Sequence, residues 1–373
     1  MSRIPIINFS LFEFTRRLFI SGGVSLRGLA MLPVYYLQII PTLPLAFVQW
    51  LLFNRRIQNT VVLKNPVFIL GHYRSGTSLL HKLLTSDSRF GYLTYYDALF
   101  PNTNLLFGKK MPERLQHVIN YFKIQNPFFH DSVLQLLEAD EEDDFLMNKA
   151  SAYSAYWGMI FPGKWGDWLN LKLQFSDKKF LSGWKREYAN TLKYISFKNP
   201  GKQLVLKSPP NLARVRLLLE MFPQAKFIFI YRNPYDIFFS TLNMWNRAIL
   251  KYYSVQRLTD NELQTLIINH FLQLMDQYEA DKHLIPQENL VEISYDELLA
   301  DPFYTIKKIY SQLSLHDFDQ TSENLLSKIQ TEKTYKTFEH QRSAEMEKLV
   351  KEQWGQYIRK WNEFLAFSAG PTK

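Results

Sequence analysis

"PVFILGHYRSGTS", residues 66–78, decides how the rest of the chain is read. The apolar run 66–70 has the length and composition of a buried strand. It passes directly into Gly71, four further residues, Gly76 and the hydroxyl pair Thr77-Ser78. That is the spacing of a phosphate-binding loop between a strand and a helix, where backbone N–H groups and the helix dipole receive an anion. A nucleoside-triphosphate loop carries lysine directly after its second glycine, and here that position is Thr77. The loop predicts a phosphate ligand, but one held by a different cation.

Further along, strand-like runs recur at 203–206, 226–231 and 290–293, and helical patterns follow at 78–85, 211–221 and 235–250. Strands alternating with helices predict an α/β fold: a P-loop-like, mostly parallel sheet flanked by helices, with right-handed crossovers. Ligands of open α/β sheets bind beyond the carboxyl ends of the strands. The second strand runs into Lys207 and the third into Arg232, so parallel neighbours would bring both to one edge with Arg74. No carboxylate is recognisable at these strand ends, and the loop lacks its lysine. The expectation is a polyanion held by side-chain cations and backbone N–H groups, with no metal. Pro234 opens the next helix, and Ser240 lies eight residues after Arg232, so the two could grip a second phosphate group from two sides.

Composition narrows the partners. At 373 residues the chain can bury a full core, as one large domain with additions or as two smaller ones. With 46% hydrophobic and 16% aromatic residues it is not a disordered chain. A net charge of +9 favours anionic partners such as nucleotide cofactors or acidic lipid surfaces. The basic residues are scattered, without a basic arm or a DNA-binding motif, so nucleic acid is not expected. The absence of cysteine excludes disulfides, thiolate zinc sites and cysteine nucleophiles, and leans towards a reducing compartment.

Residues 1–65 read as an apolar, helical, membrane-associating segment, and 66–373 as the main domain with a helical insertion at about 94–199. The 27 residues 28–54 carry no charge, enough to cross a hydrocarbon core. Pro33, Pro41 and Pro44 argue against one straight helix, while Tyr35, Tyr36 and Trp50 sit where interfacial aromatics would. The run starts too late for a cleavable signal. Arg16, Arg17 and Arg27 on one side balance Arg55, Arg56 and Lys64 on the other, so charge gives no orientation. The competing account is a hydrophobic helix pair packed on the globular domain.

Together, Gly71, Arg74-Ser75-Gly76-Thr77, Lys207-Ser208-Pro209, Phe222-Pro223 and Arg232 with Pro234 and Ser240 resemble the sulfotransferase superfamily, in particular its bacterial-type branch. The resemblance runs from about residue 66 to 240. It implies 3′-phosphoadenosine 5′-phosphosulfate (PAPS) as sulfate donor. Arg74, Ser75, Gly76, Thr77 and Ser78 would form its 5′-phosphosulfate loop, and Arg232 with Ser240 the 3′-phosphate grip. Many relatives have lysine where this chain has Arg74, whose planar fork keeps the charge but donates no proton. Lys207 is the expected catalytic cation, beside the leaving phosphate.

The general base is less plainly written. "EADEEDDF", residues 138–145, reads as a solvated acidic helix start. Relatives carry an acidic pair here, which nominates Glu142 as the catalytic base. Where relatives often have histidine after the lysine motif, this chain has Asn211, leaving His72 and His130 as further candidates. Trp245 is one of several aromatics that could stack on the adenine. The acceptor would be a hydroxyl or amine, with a lipid or glycolipid expected from the apolar segment alone, and the catalytic domain on the cytoplasmic face of the membrane. Two other accounts stay open: a degenerate P-loop kinase or nucleotide phosphotransferase, and an inactive membrane-linked binding protein of the same fold.

Overall fold

A computed structural model describes residues 11–62, 65–128, 132–149, 151–164, 177–315, 317–332 and 342–368. His130 and Lys64 lie outside the described residues. In chain order the strands are β1 (Val67–Leu70), β2 (Phe90–Gly91), β3 (Gln203–Lys207), β4 (Lys226–Tyr231) and β5 (Leu290–Ser294). The main helices are α1 (Leu11–Ile20), α2 (Leu26–Ile39), α3 (Leu43–Gln58), α4 (Thr77–Leu84), α5 (Glu142–Asn148), α6 (Lys178–Lys198), α7 (Val215–Met221), α8 (Pro234–Met244), α9 (Asp260–Asp281) and α10 (Ala344–Ser368).

The strands form a five-stranded sheet in the order β2-β3-β1-β4-β5. β1 pairs parallel with β4, Val67 opposite Lys226 through Leu70 opposite Phe229. β4 pairs parallel with β5, from Phe227 opposite Leu290 to Tyr231 opposite Ser294. All four β1 residues and the four central residues of β4 are buried, which explains their unbroken apolar runs: a central parallel strand is covered on both faces. β4 runs two residues beyond the β1 register, so the chain leaving Leu70 turns beside Ile230 and Tyr231. That offset places the loop.

Two helical patterns are divided differently from the sequence expectation. Over 211–221, a 3₁₀ turn (Pro209–Ala213) precedes α7, because Pro209 and Pro210 supply no backbone donors and Arg214 is non-helical. Over 235–250, α8 ends at Met244 and a π-helical stretch, Trp245–Tyr253, continues it. β2, two residues long, has no periodicity to betray it.

The chain divides into two compact units. One comprises Asn65–Phe90, Lys207–Asn243 and Glu262–Lys373 and contains β1, β4, β5 and the loop. Its core is closed by Trp354 of α10, which stacks on Phe271 at 3.8 Å and donates Nε1–H to the Ile268 carbonyl at 3.3 Å.

The other unit comprises Met1–Lys64, Gly91–Leu206 and Met244–Asn261, and so includes the apolar N-terminal helices. Leu26–Gln58 is helical over 33 residues, long and apolar enough to cross a membrane, through a 3₁₀ turn at Ile40–Thr42. Pro41 and Pro44 each fall in a first turn, where a missing N–H costs nothing; Pro33 alone lies inside α2. The start of α2 is tied to the end of the π stretch. Ser25 N–H donates to the Val255 carbonyl at 2.9 Å, Arg27 to Leu250 O at 2.6 Å and Tyr35 to Tyr253 O at 2.6 Å.

Gly28 permits this approach, since a Cβ there would stand 2.0 Å from the Val255 carbonyl oxygen. Backbone cannot yield as a side chain can. Gly28→Ala should therefore cost about 2 kcal/mol or more by overpacking, read as a lower thermal unfolding midpoint; an unchanged midpoint would refute this docking.

Candidate anion site at the strand ends

The loop is shaped by what it touches. Gly76 caps α4 with φ +99°, and a Cβ there would lie 2.2 Å from the Tyr295 ring. A Cβ on Gly71 would meet Ser75 Oγ at 2.6 Å and Thr77 Cγ2 at 2.8 Å. Both glycines are needed for closeness, and Gly76 for its left-handed backbone too. Ser75 folds the turn on itself: its N–H and its hydroxyl both donate to the His72 carbonyl, at 3.1 and 2.8 Å. Arg74 also adopts the left-handed region, φ +66°, a conformation that non-glycine residues rarely hold without a compensating contact.

Those contacts bring three predicted residues together. Arg74 Nε donates to Ser240 Oγ at 2.9 Å, and Arg232 Nη1 donates to the Arg74 carbonyl at 2.7 Å. Ser240 lies on α8, buried, two turns beyond the end of β4. The third predicted cation, Lys207, is 3% exposed at the end of β3 and donates to Ser78 Oγ at 3.3 Å. It does not point to solvent. Arg74, Lys207 and Arg232 thus converge with Ser75, Thr77, Ser78 and Ser240 within one unit.

The Arg232 guanidinium lies over the Tyr295 ring at 4.4 Å, with its Nε buried and without a hydrogen-bond partner. The nearest carboxylate, Asp236, is 3.9 Å away and also pairs with Arg342. The expectation of no strand-end carboxylate needs correction. Asp296 follows β5, and burial raises its pKa, with the Asp236 charge adding and Arg232 opposing. Neither acid was recognisable because Asp236 lies on a helix and Asp296 lies beyond a strand end whose neighbours only the register reveals. Tyr295 was equally missed. Its signal was the Ser294–Glu297 capping box, which closes the chain sharply after β5. Among the described residues no group of three or more His, Asp or Glu is placed to hold a metal ion.

Glu142 opens α5 in the other unit. The carboxylates of 138–145 are not a solvated face: Asp140, Glu142 and Asp143 are buried, Glu142 completely. Asp143 accepts the Ala155 N–H at 2.9 Å, and its carbonyl accepts the Ser154 hydroxyl at 2.7 Å. Glu141 is bonded by the Tyr156 hydroxyl. These acids are integrated into the fold of their unit, which composition could not show. Trp245 is buried in that unit too. Asn211 is buried and accepts from Arg214 at 3.2 Å.

His72 is enclosed. Its ring lies 5.6 Å from that of His270 and 5.1 Å from Phe271, and its Nδ1 meets the Tyr73 carbonyl at 2.9 Å. Burial lowers its pKa to about 4, so the ring is neutral near pH 7.

With this geometry in place the comparisons become informative. A family model described as "Sulfotransferase family" matches residues 66–320. The chain belongs to the sulfotransferase family. Omega-hydroxy-beta-dihydromenaquinone-9 sulfotransferase Stf3 of Mycobacterium bovis is 29% identical over 316 residues, 84% of this chain and 79% of that one. In fold, the chain is similar to sulfotransferase STF1 of Mycobacterium tuberculosis, with TM-score 0.67 and 19% identity over 91% of this chain and 89% of the other. It is also similar to STF9 of Mycobacterium avium, with TM-score 0.65 and 16% identity over 84% and 81%.

The enclosed histidine gives this sulfotransferase a testable acid sensitivity. Between pH 6.5 and about 4 the unfolded chain protonates at His72 and the folded chain does not. Stability from this group is complete above pH 6.5 and is lost as pH falls towards 4, by on the order of 3 kcal/mol. In His72→Asn the unfolding midpoint should fall less over that window than in the parent chain; parallel curves would contradict the burial.

Proposed function

We propose that this sulfotransferase moves the sulfuryl group of PAPS to a hydroxyl (or amine) of a lipid or glycolipid by a metal-free, in-line transfer. The observation that carries it is the convergence of Arg74, Lys207 and Arg232 on the loop and the ends of neighbouring strands. A bisphosphorylated nucleotide is rich in negative charge, and the buried Nε of Arg232 makes no hydrogen bond, with Asp236 3.9 Å from it, so it can donate to such a ligand. The residues present fit that group. When bound, it supplies an activated sulfate on a good leaving phosphate.

Arg74, Ser75, Gly76, Thr77 and Ser78 would hold the 5′-phosphosulfate through loop N–H groups and hydroxyls, and Arg232 with Ser240 the 3′-phosphate. Lys207, oriented by Ser78, neutralises charge arriving on the leaving phosphate oxygen as its bond to sulfur breaks. Glu142 would take the acceptor's proton as the new O–S bond forms; this assignment rests on the family resemblance.

Two observations support a lipid-like acceptor near a membrane. The name of the Stf3 relative states an omega-hydroxy menaquinone derivative as its substrate, and this chain carries the exposed apolar segment Leu26–Gln58. The lack of cysteine favours a cytoplasmic face for the catalytic domain.

Calorimetry with 3′,5′-adenosine bisphosphate tests the donor. Binding should occur without magnesium and weaken at least tenfold in Arg232→Ala, since a charge-assisted contact contributes about 1.5–3 kcal/mol. Magnesium-dependent ATP binding with no affinity for the bisphosphate would replace this proposal with a kinase-like one. Labelled-sulfate transfer from PAPS into a lipid extract then separates turnover from binding alone. Glu142→Gln should cut kcat by about 10²-fold or more while leaving bisphosphate affinity intact; a full-speed variant would remove Glu142 as base.

A further inference from the structure

We infer that Leu26–Gln58 lies along one leaflet of a phospholipid bilayer, with one side seated on its own unit and the other in lipid, and does not cross the membrane. The inference rests on the membrane association proposed above and specifies its topology.

The spacing of protein contacts decides between lying and crossing. The 33-residue segment is about 50 Å long at the helical rise. Its unit holds it at the start through Arg27 and Tyr35. Near the middle, the buried Gln49 donates to the Pro101 carbonyl at 2.8 Å and accepts the Leu105 N–H at 2.8 Å. Towards the end, Phe53 packs edge-on against Phe197 at 6.4 Å, and Lys193 donates to the Gln58 carbonyl at 2.9 Å. The longest interval between successive attachments, from Tyr36, which bonds Thr15 at 2.9 Å, to Gln49, is 13 residues, about 20 Å. A hydrocarbon core is about 30 Å thick. No stretch between attachments is long enough to cross it while the flanking contacts stay in water.

Among the described residues, the other side of the segment has little protein cover. Only 11% of its most apolar stretch is buried. Leu26 is 88% exposed, Leu37 73% and Leu51 64%, and Phe47 and Trp50, also exposed, stack at 6.1 Å. Gln49's bonds bring residues 101–105 beside α3, and exposed Lys109 and Lys110 follow close behind. Exposed Arg55 and Arg56 end α3. An apolar face edged by cations and free of acids over residues 28–54 matches an anionic lipid surface, with acyl chains beneath and phosphates at the rim.

The cysteine-free chain allows a clean test. Gly23→Cys and Asn59→Cys, one per variant, lie just outside the segment and bracket it. In sealed inside-out membrane vesicles and in intact spheroplasts of the expressing cell, a membrane-impermeant maleimide should label both sites from one and the same side. Labelling from opposite sides would overturn the inference and leave membrane association standing. With purified protein, an environment-sensitive dye on Leu37→Cys should shift to the blue on adding vesicles of phosphatidylcholine with 30% phosphatidylglycerol. Leu37→Glu/Leu51→Glu should bind these vesicles at least tenfold more weakly with its unfolding midpoint unchanged. A parent chain that ignores the vesicles would overturn both this topology and the membrane reading beneath it. A blue-shifted dye in a lipid-free dimer would give the face to a second copy of the chain and likewise overturn the inference.

Discussion

The hydrogen bond from Arg232 to the Arg74 carbonyl organises the site. It exists because β4 outruns β1 by two residues, so the loop leaving β1 must pass the end of its neighbour. Arg74 accepts a left-handed backbone there, at a cost of about 1–2 kcal/mol for an L-residue. A hydrogen bond from a charged donor contributes about 1.5–3 kcal/mol, and Arg74 reaches Ser240 as well. The balance favours the strained turn. One backbone carbonyl thereby ties the loop to the strand end, and one side chain ties it to α8.

Such an arrangement holds like charges close together, which is expensive. Tyr295 offsets part of this by offering its ring face to Arg232, and Asp236 and Asp296 offset more. The acids stand at a distance or are disfavoured in their charged form, so they moderate the field without cancelling it. A polyanionic ligand would complete the neutralisation, and its binding energy would then include relief of this repulsion. Replacement of the usual loop lysine by Thr77 fits the same logic. The positive charge is distributed over three elements of the unit instead of concentrated in one side chain of the loop.

Much of this was legible because it depends on local chemistry. Continuous apolar runs reveal buried parallel strands, two glycines at fixed spacing reveal a close turn, and a proline after Arg232 reveals a helix start. The β1, β3, β4 and β5 boundaries follow from those signals to within a residue. What sequence could not supply depends on register or tertiary burial. The two-residue offset between β1 and β4 leaves no mark in composition, nor does the approach of Tyr295 to Gly76. The acidic run 138–145 misled for a related reason. Its charge density predicts solvent, but Tyr156, Ala155 and Ser154 return to bond it, and partners that distant in sequence have no local signature.

The N-terminal segment shows how two readings of one apolar stretch can be compatible. Packing on the globular unit and contact with lipid were alternatives only while the helix was considered as a single surface. A helix has sides: Tyr35, Ile39 and Gln49 turn inward and are buried, while Leu37, Phe47 and Leu51 turn out. Burial of the first set stabilises the seat by itself, at about 1.5–3 kcal/mol for each fully covered large apolar side chain, while the second set gains nothing as long as it stays in water. Left in water, every exposed residue of the outer row forgoes that contribution. At a bilayer, covering that outer row would become the driving force for association, and the same contacts that seat the helix on its unit would keep that unit beside the lipid from which the proposed acceptor would come.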